Sequence, residues 1–341
     1  MAFPLSILDV SPIPSGATAA DALRNTIDLA RLADRAGYHR YWLAEHHNSA
    51  GIASAVPELM IGYVAGATER LRVGSGGVML PNHAPLRVAE AFGMLESLHP
   101  GRIDLGVGRA PGTDHPTAVA LRGSREALGA DDFPERLSEL RGFLDGGFPP
   151  DHPYHRVRAV TSGDGAPPVW MLGSSDYGAR LAAELGLGFA FAHHINPGLA
   201  VPALNFYREY FRPARPGDRP WAILATSVVT APTADEAAWL AASLDLMWLR
   251  IGRGESAPVP SPEEARDARL TPLERERVEA NRARHTVGDP ATVAARLTDL
   301  VERSAADELM AMTIVYDHAA RRRSYELLAG ELIPAAPARS A

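Results

Sequence analysis

The chain has 341 residues, no cysteine, 46% hydrophobic and 22% charged residues, and a formal net charge of −7. Without cysteine there are no disulfides, thiolate zinc sites or cysteine nucleophiles, and an acidic chain with no Lys/Arg run offers nucleic acid no footprint. No apolar run approaches the ~20 residues that cross a bilayer, and the opening "MAFPLSILDVSPIPSG" lacks a basic segment ahead of a long apolar one, so a cytoplasmic protein with no membrane partner is expected.

In chain order, short apolar runs alternate with stretches of helical period. A first strand is expected at Leu5–Val10, then a helix at Ala19–Ala36 whose Leu23, Ile27, Ala30, Ala33 and Ala36 share one face. Strands two to four fall at Tyr41–Ala44, Val73–Leu80 and Ile103–Val107, separated by helices at Pro57–Thr68 and Pro85–Leu98. Residues 109–165 break the alternation as a Pro/Gly-rich insertion carrying one amphipathic helix, Phe133–Leu144. Strands five and six, Val169–Leu172 and Gly188–Ala192, flank a helix at Tyr177–Leu185. Strand seven, Ile223–Val229, leads to a helix at Asp235–Arg250, whose Trp239, Met247 and Trp248 read as core packing. The polar, proline-rich stretch 251–275 reads as a mobile loop. A helix at Pro290–Arg303 and a strand at Glu308–Val315 complete the pattern, and 332–341 reads as a flexible tail.

Strands that are apolar on consecutive residues suit a parallel sheet buried on both faces. Eight such units in this length point to one (β/α)₈ barrel over 1–331, with insertions after strands four and seven. An open doubly wound sheet would carry its phosphate turn after the first strand, and "SPIPSG" there does not match.

In a barrel, functional groups gather where strands end. The second strand ends in Glu45, His46 and His47, the third in Asn82 and His83, the fourth in Gly108 and Arg109, the fifth in Gly173, Ser174 and Ser175, and the sixth in His193 and His194. "GSSDYGA" suits an anion at a helix N-terminus or an ordinary serine cap. Arg109 offers a guanidinium to the same anion. "GSGG" inside the third strand leaves either a flat surface for a planar ring or a bulge for barrel closure. The histidines admit three readings: local polar contacts, a zinc site with Glu45, or acid–base work near neutral pH. Adjacent histidines on a strand point to opposite faces and no spaced His-x-His follows, so no metal is assigned.

"GYHRYWLAEHHNSAG", "GATERLRVGSGGVMLPNHAPLRVAEAFGMLESLHPGRIDLGVGRAPG" and "VWMLGSSDYGARLAAELGLG", in that order, resemble the bacterial luciferase-like flavin monooxygenase family, from about Leu5 to Leu328. The resemblance implies reduced FMN as cofactor, supplied by a separate NAD(P)H:flavin reductase, with O2 as co-substrate and a flavin 4a-hydroperoxide oxygenating a small organic substrate. It makes His46 the general base and His47 its supporting neighbour. It implies a non-prolyl cis peptide at Gly76-Gly77 under the flavin ring, and puts Gly108 close to the reactive flavin carbon. Arg109, Gly173, Ser174, Ser175 and Gly178 become the phosphate site. Glu45, His83, His193 and His194 are left as substrate contacts, and a homodimer is expected. Gly108, Gly178 and His193 stand where bacterial luciferase has cysteine, threonine and tryptophan, so neither its substrate pocket nor its light emission is carried over. The alternatives are a deazaflavin-dependent oxidoreductase of the same superfamily, a flavin-storage or flavin-binding protein without catalysis, and a zinc-dependent barrel hydrolase.

Overall fold

The computed structural model describes residues 3–110, 112–123, 132–160 and 165–334. Eight parallel strand positions close into a barrel: β1 (Leu5–Asp9), β2 (Arg40–Leu43), β3 (Arg72–Ser75) continued by β4 (Val78–Met79), β5 (Ile103–Gly108), β6 (Val169–Gly173), β7 (Gly188–Ala192), β8 (Ala222–Thr230) and β10 (Glu308–Met312). β10 pairs with both β1 and β8, which leaves the barrel no free edge. Each expected strand is present, and the (β/α)₈ architecture is the one expected. A strand the sequence reading missed, β9 (His285–Gly288), pairs with β8 outside the closed ring.

Helices cover the barrel: α1 (Ala19–Ala36), α2 (Pro57–Gly66), α3 (Pro85–Leu98), α4 (His115–Arg122), α5 (Phe133–Leu144), α6 (Asp176–Leu185), α7 (Pro197–Tyr210), α8 (Ala234–Gly252), α9 (Pro262–Asp267), α10 (Pro272–Arg282), α11 (Pro290–Ser304) and α12 (His318–Leu332). In α1, Thr18 and Asp21 form a reciprocal capping box, and Gly37 ends the helix at φ 86°. Its buried face is Ala22, Thr26, Leu29, Ala30 and Ala33 rather than the Leu23–Ile27 side. The shift follows from Thr26, whose hydroxyl bonds the fully buried Asp9 at 2.8 Å and so faces the barrel. Among the described residues no helix is long and apolar enough to cross a membrane.

The stretch 251–275 is not one loop. α8 runs on to Gly252, and α9 and α10 pack Ala265, Ala268, Leu270 and Val278 on Leu246 and Leu249 of α8. Each new helix has an N-cap, Ser261 or Thr271, accepting from the backbone of Glu264 or Glu274, with proline in the first turn. Residues 253–261 and 268–271 stay irregular, the first pinned by the bonds Val259 N–H to Ile13 O and Ser15 N–H to Val259 O, both 2.8 Å. The last helix reaches Leu332, one residue into the expected tail, and 335–341 lie outside the described residues.

The N-terminal end of the barrel is filled by a buried ionic cluster. Arg40 reaches Glu308 and Asp104, each at 2.9 Å, and Arg72 reaches Asp104 at 2.6 Å. Ser6 and Trp221 also donate to Glu308, and Trp42 Nε1 donates to Asp104. The guanidinium of Arg40 lies 4.5 Å from the Trp170 ring centre. This plug leaves the opposite end to hold the cavity.

Candidate active site

At the C-terminal mouth the strand ends and their loops enclose a cavity of about 850 Å³, within the range of small-molecule sites. Trp42 is its base: the indole is wholly buried, bonded below to Asp104 while the side chain contributes to the cavity wall above. "GSGG" lets the neighbouring strands come close to this residue and to one another. A Cβ on Gly74 would stand 2.9 Å from Trp42 Nε1 and 2.5 Å from the Asp104 carbonyl oxygen, and one on Gly76 would meet Leu8 at 2.5 Å. A Cβ on Gly77 would meet the Gly106 carbonyl at 2.7 Å. The glycines are therefore required by close packing between barrel strands, against the Trp42 indole and Asp104 at Gly74, Leu8 at Gly76 and the Gly106 backbone at Gly77, while Gly76 and Gly77 also line the cavity. The Gly76-Gly77 peptide is cis, as expected.

One side of the cavity is an anion seat. Gly173, Ser174 and Ser175 lead into α6, and Ser175 at the N-cap makes no side-chain capping bond. The helix thus presents its first N–H groups, with the positive end of its dipole, without a serine hydroxyl closing them off. The Ser174 carbonyl is held by Asn196 Nδ2 at 3.1 Å. Arg109 leaves β5 and lies 4.0 Å over the ring of Tyr177, in the first turn of α6, which brings the guanidinium to the same helix end. Tyr177 escaped the sequence reading, although its place three residues after Ser174 was a usable signal. Gly178 lines the cavity too, and a Cβ there would stand 3.2 Å from Phe189.

The rest of the wall is mostly apolar: Leu8, Val10, Met171, Met247, Met310 and Met312 are among its residues. The loop 254–258 forms part of the rim. It crosses so close to Gly51 that a Cβ there would stand 2.6 Å from the Ala257 carbonyl oxygen. Trp248, expected as core packing, lines the cavity, and its Nε1 is buried without a partner.

His46, His47 and His194 line this cavity; Glu45, His83 and His193 do not. His46 N–H bonds the Ser54 carbonyl at 2.9 Å, and its ring Nδ1 is buried without a partner. Burial lowers its pKa, the Glu45 charge opposes that shift and the His47 charge adds to it. His194 bonds the Ala225 carbonyl through Nδ1 at 3.2 Å, and burial brings it down to about 4. Both imidazoles are therefore uncharged at neutral pH. His193 turns to Thr226 Oγ1 at 3.1 Å instead. Glu45 is 1% exposed and its Oε1 accepts from His47 Nε2 and His83 Nε2, both at 2.8 Å. His83 opens onto a separate outer groove with Glu58, Asn82 and Arg87. Glu45, His83 and His193, expected as substrate contacts, thus lie outside the lining of this cavity.

Three features fit a phosphate-bearing planar cofactor with an apolar substrate: the uncapped α6 N-terminus beside Arg109, the orphaned His46 Nδ1, and the apolar wall.

A family model described as luciferase-like monooxygenase matches residues 2–308. A luciferase-like monooxygenase of Escherichia coli (strain K12) is 45% identical over 323 residues, covering 94% of this chain and 95% of that protein. An N-acetyl-S-alkylcysteine monooxygenase of Bacillus subtilis (strain 168) is 36% identical, covering 97% and 98%. Among solved structures, apo-MsnO8 superposes with a TM-score of 0.88 at 38% identity, covering 98% of this chain and 100% of that one. The oxygenating constituent of 3,6-diketocamphane monooxygenase from Pseudomonas putida, in complex with FMN, shares the fold at TM-score 0.72 and 22% identity, covering 97% and 98%.

Proposed function

The chain belongs to the luciferase-like monooxygenase family, and on that premise we propose that it is an FMN-dependent monooxygenase acting on a small, largely apolar organic substrate. The observation that carries this reading is the joining, in one cavity, of an anion seat at Arg109 and the α6 N-terminus with an apolar wall and the unpartnered Nδ1 of His46. Reduced FMN would supply the two electrons that, with O2, put one oxygen atom into the substrate and one into water.

The protein's part is binding, orientation and proton handling. Arg109 and the backbone N–H groups after Ser174 and Ser175 hold the phosphate. Gly76, Gly77 and Gly108 present bare backbone to the ring. His46, uncharged at neutral pH, takes or gives a proton at Nδ1 beside the reacting groups. The 254–258 rim, lying against Gly51, limits water. The reduced flavin comes from a separate NAD(P)H:flavin reductase. The chain works as a homodimer through α2 and α3, where Leu59, Tyr63, Met94 and Leu98 are 53–69% exposed, a patch of the kind that marks interfaces.

The test mixes anaerobically reduced FMN with the protein and then admits ¹⁸O2 over a panel of apolar substrates. Alkyl thioethers belong in the panel because one relative is an N-acetyl-S-alkylcysteine monooxygenase. Label in the product is expected. Flavin reoxidation at the same rate with and without protein, with no labelled product, would overturn the reading, and binding of a deazaflavin coenzyme in place of FMN would replace it. Light scattering reads the dimer, which Tyr63→Glu should dissociate.

A further inference from the structure

Glu45 sits inside the barrel wall, between the cavity and the outer groove. Its two oxygens take three donors: His47 Nε2 and His83 Nε2 on Oε1, each at 2.8 Å, and the Met79 N–H on Oε2 at 2.9 Å. An ionised carboxylate only accepts, so both facing imidazole nitrogens carry hydrogen. A neutral imidazole has one hydrogen. Whenever His47 carries a single hydrogen, that hydrogen is on Nε2 and its Nδ1 is bare, and His47 is the cavity-lining member of the three. The side chain of His83 is 29% exposed on the other side, against 14% for His47.

We propose that Glu45 is a positioning residue for the proton chemistry of the cavity: it locks His47 with hydrogen on Nε2 and Nδ1 free as acceptor, and His83 is the outer counter-imidazole that keeps Glu45 ionised and in place. This rests on the reading of the cavity as the reaction site. It explains why a carboxylate is held in a dry wall, where a charge without partners would be costly. The logic is that of a carboxylate bonded to one imidazole nitrogen so that the other has a defined role.

The charges agree with this arrangement. Burial alone would raise the Glu45 carboxyl, but the His83 hydrogen bond and charge, with the bonds from His47 and Met79, hold it below the usual carboxylate value. His83 is raised, first by its bond to Glu45, against burial, and further by the charges of Glu45 and Glu58. The groups facing His83 are Glu45 from the β2 end, Glu58 from α2, Arg87 from α3 and Arg136 from α5, whose Nη1 donates to the His83 carbonyl at 3.1 Å.

The test is ring ¹⁵N NMR of the flavin-free full chain. In the wild type, His47 should show protonated Nε2 and bare Nδ1, and His83 should titrate above an ordinary histidine. Glu45→Gln should scramble the His47 tautomer and lower the His83 pKa. His83→Gln, which keeps an N–H donor towards Glu45, should preserve the His47 tautomer. In turnover, Glu45→Gln should lower kcat roughly tenfold or more with KM and FMN affinity little changed, as loss of an orienting partner does, and His83→Gln should flatten the pH profile rather than abolish activity. An unchanged His47 tautomer in Glu45→Gln would overturn the proposal, as would an unmoved His83 pKa; circular dichroism of both variants guards against misfolding. Because the spectra need no flavin, correct tautomers in a protein that fails to bind FMN would instead refute the reading of the cavity, and the catalytic part of the proposal with it.

Discussion

The two ends of the barrel both bury polar groups and use them in opposite ways. At the N-terminal end Arg40, Arg72, Asp104 and Glu308 satisfy one another, with Ser6, Trp42 and Trp221 donating to the carboxylates. Trp170 Nε1, beside this cluster, is buried without a partner. At the C-terminal end polar atoms are buried and left open: His46 Nδ1, Trp248 Nε1 and the α6 N-terminus without a side-chain cap. Charges whose partners are all supplied by the fold rigidify a scaffold. Polar atoms that the fold buries without partners are available to something the chain does not itself supply. In this fold, function is expected at the C-terminal mouth and stability at the other end.

Breaking the plug should give the largest effect. Arg40→Met strands Glu308 without its guanidinium and should cost about 3–5 kcal/mol in denaturant unfolding, with FMN affinity of the folded protein unchanged. An equal loss of FMN affinity would mean that the two ends are not separate. Next comes acid stability. His194, 7% exposed, sits near 4 when folded and near 6.5 when unfolded. A base with a lowered folded pKa contributes its full stability above 6.5 and loses it as the pH falls towards 4, here about 3 kcal/mol. His194→Phe should flatten that part of the curve, since the Ala225 carbonyl keeps the His193 N–H at 2.8 Å. An unchanged slope from pH 7 to 4.5 would move the effect to another group. At the mouth, His46→Ala should leave flavin binding intact and lower turnover by ~10²-fold, the scale of a lost acid–base group; undiminished turnover would remove His46 from the chemistry.

The barrel was legible because its strands are apolar on consecutive residues, a pattern that depends on local sequence alone. α9 and α10 are legible too when "SPEE" and "TPLE" are read as Ser/Thr caps with proline behind them and glutamate at the third position; proline content alone reads as a mobile loop instead. β9, at four residues with one face on α8, has too short a pattern to separate from a loop. The polar strand ends were legible as a group and not residue by residue. Whether Glu45 meets substrate or His83 depends on which way the chain turns after β2, and the need for Gly74 and Gly76 arises from Asp104, Trp42 and Leu8 on other strands. Such facts belong to tertiary contacts.

The most direct measurement is the affinity of FMN against riboflavin, by flavin fluorescence, for the wild type and Arg109→Ala. If Arg109 and the α6 N-terminus hold the phosphate, the wild type prefers FMN by roughly 10- to 100-fold, the worth of charge-assisted hydrogen bonds. Arg109→Ala should then erase most of that preference while leaving riboflavin binding as it was. Equal affinities for FMN and riboflavin in the wild type would contradict the account of the C-terminal mouth as a flavin phosphate site.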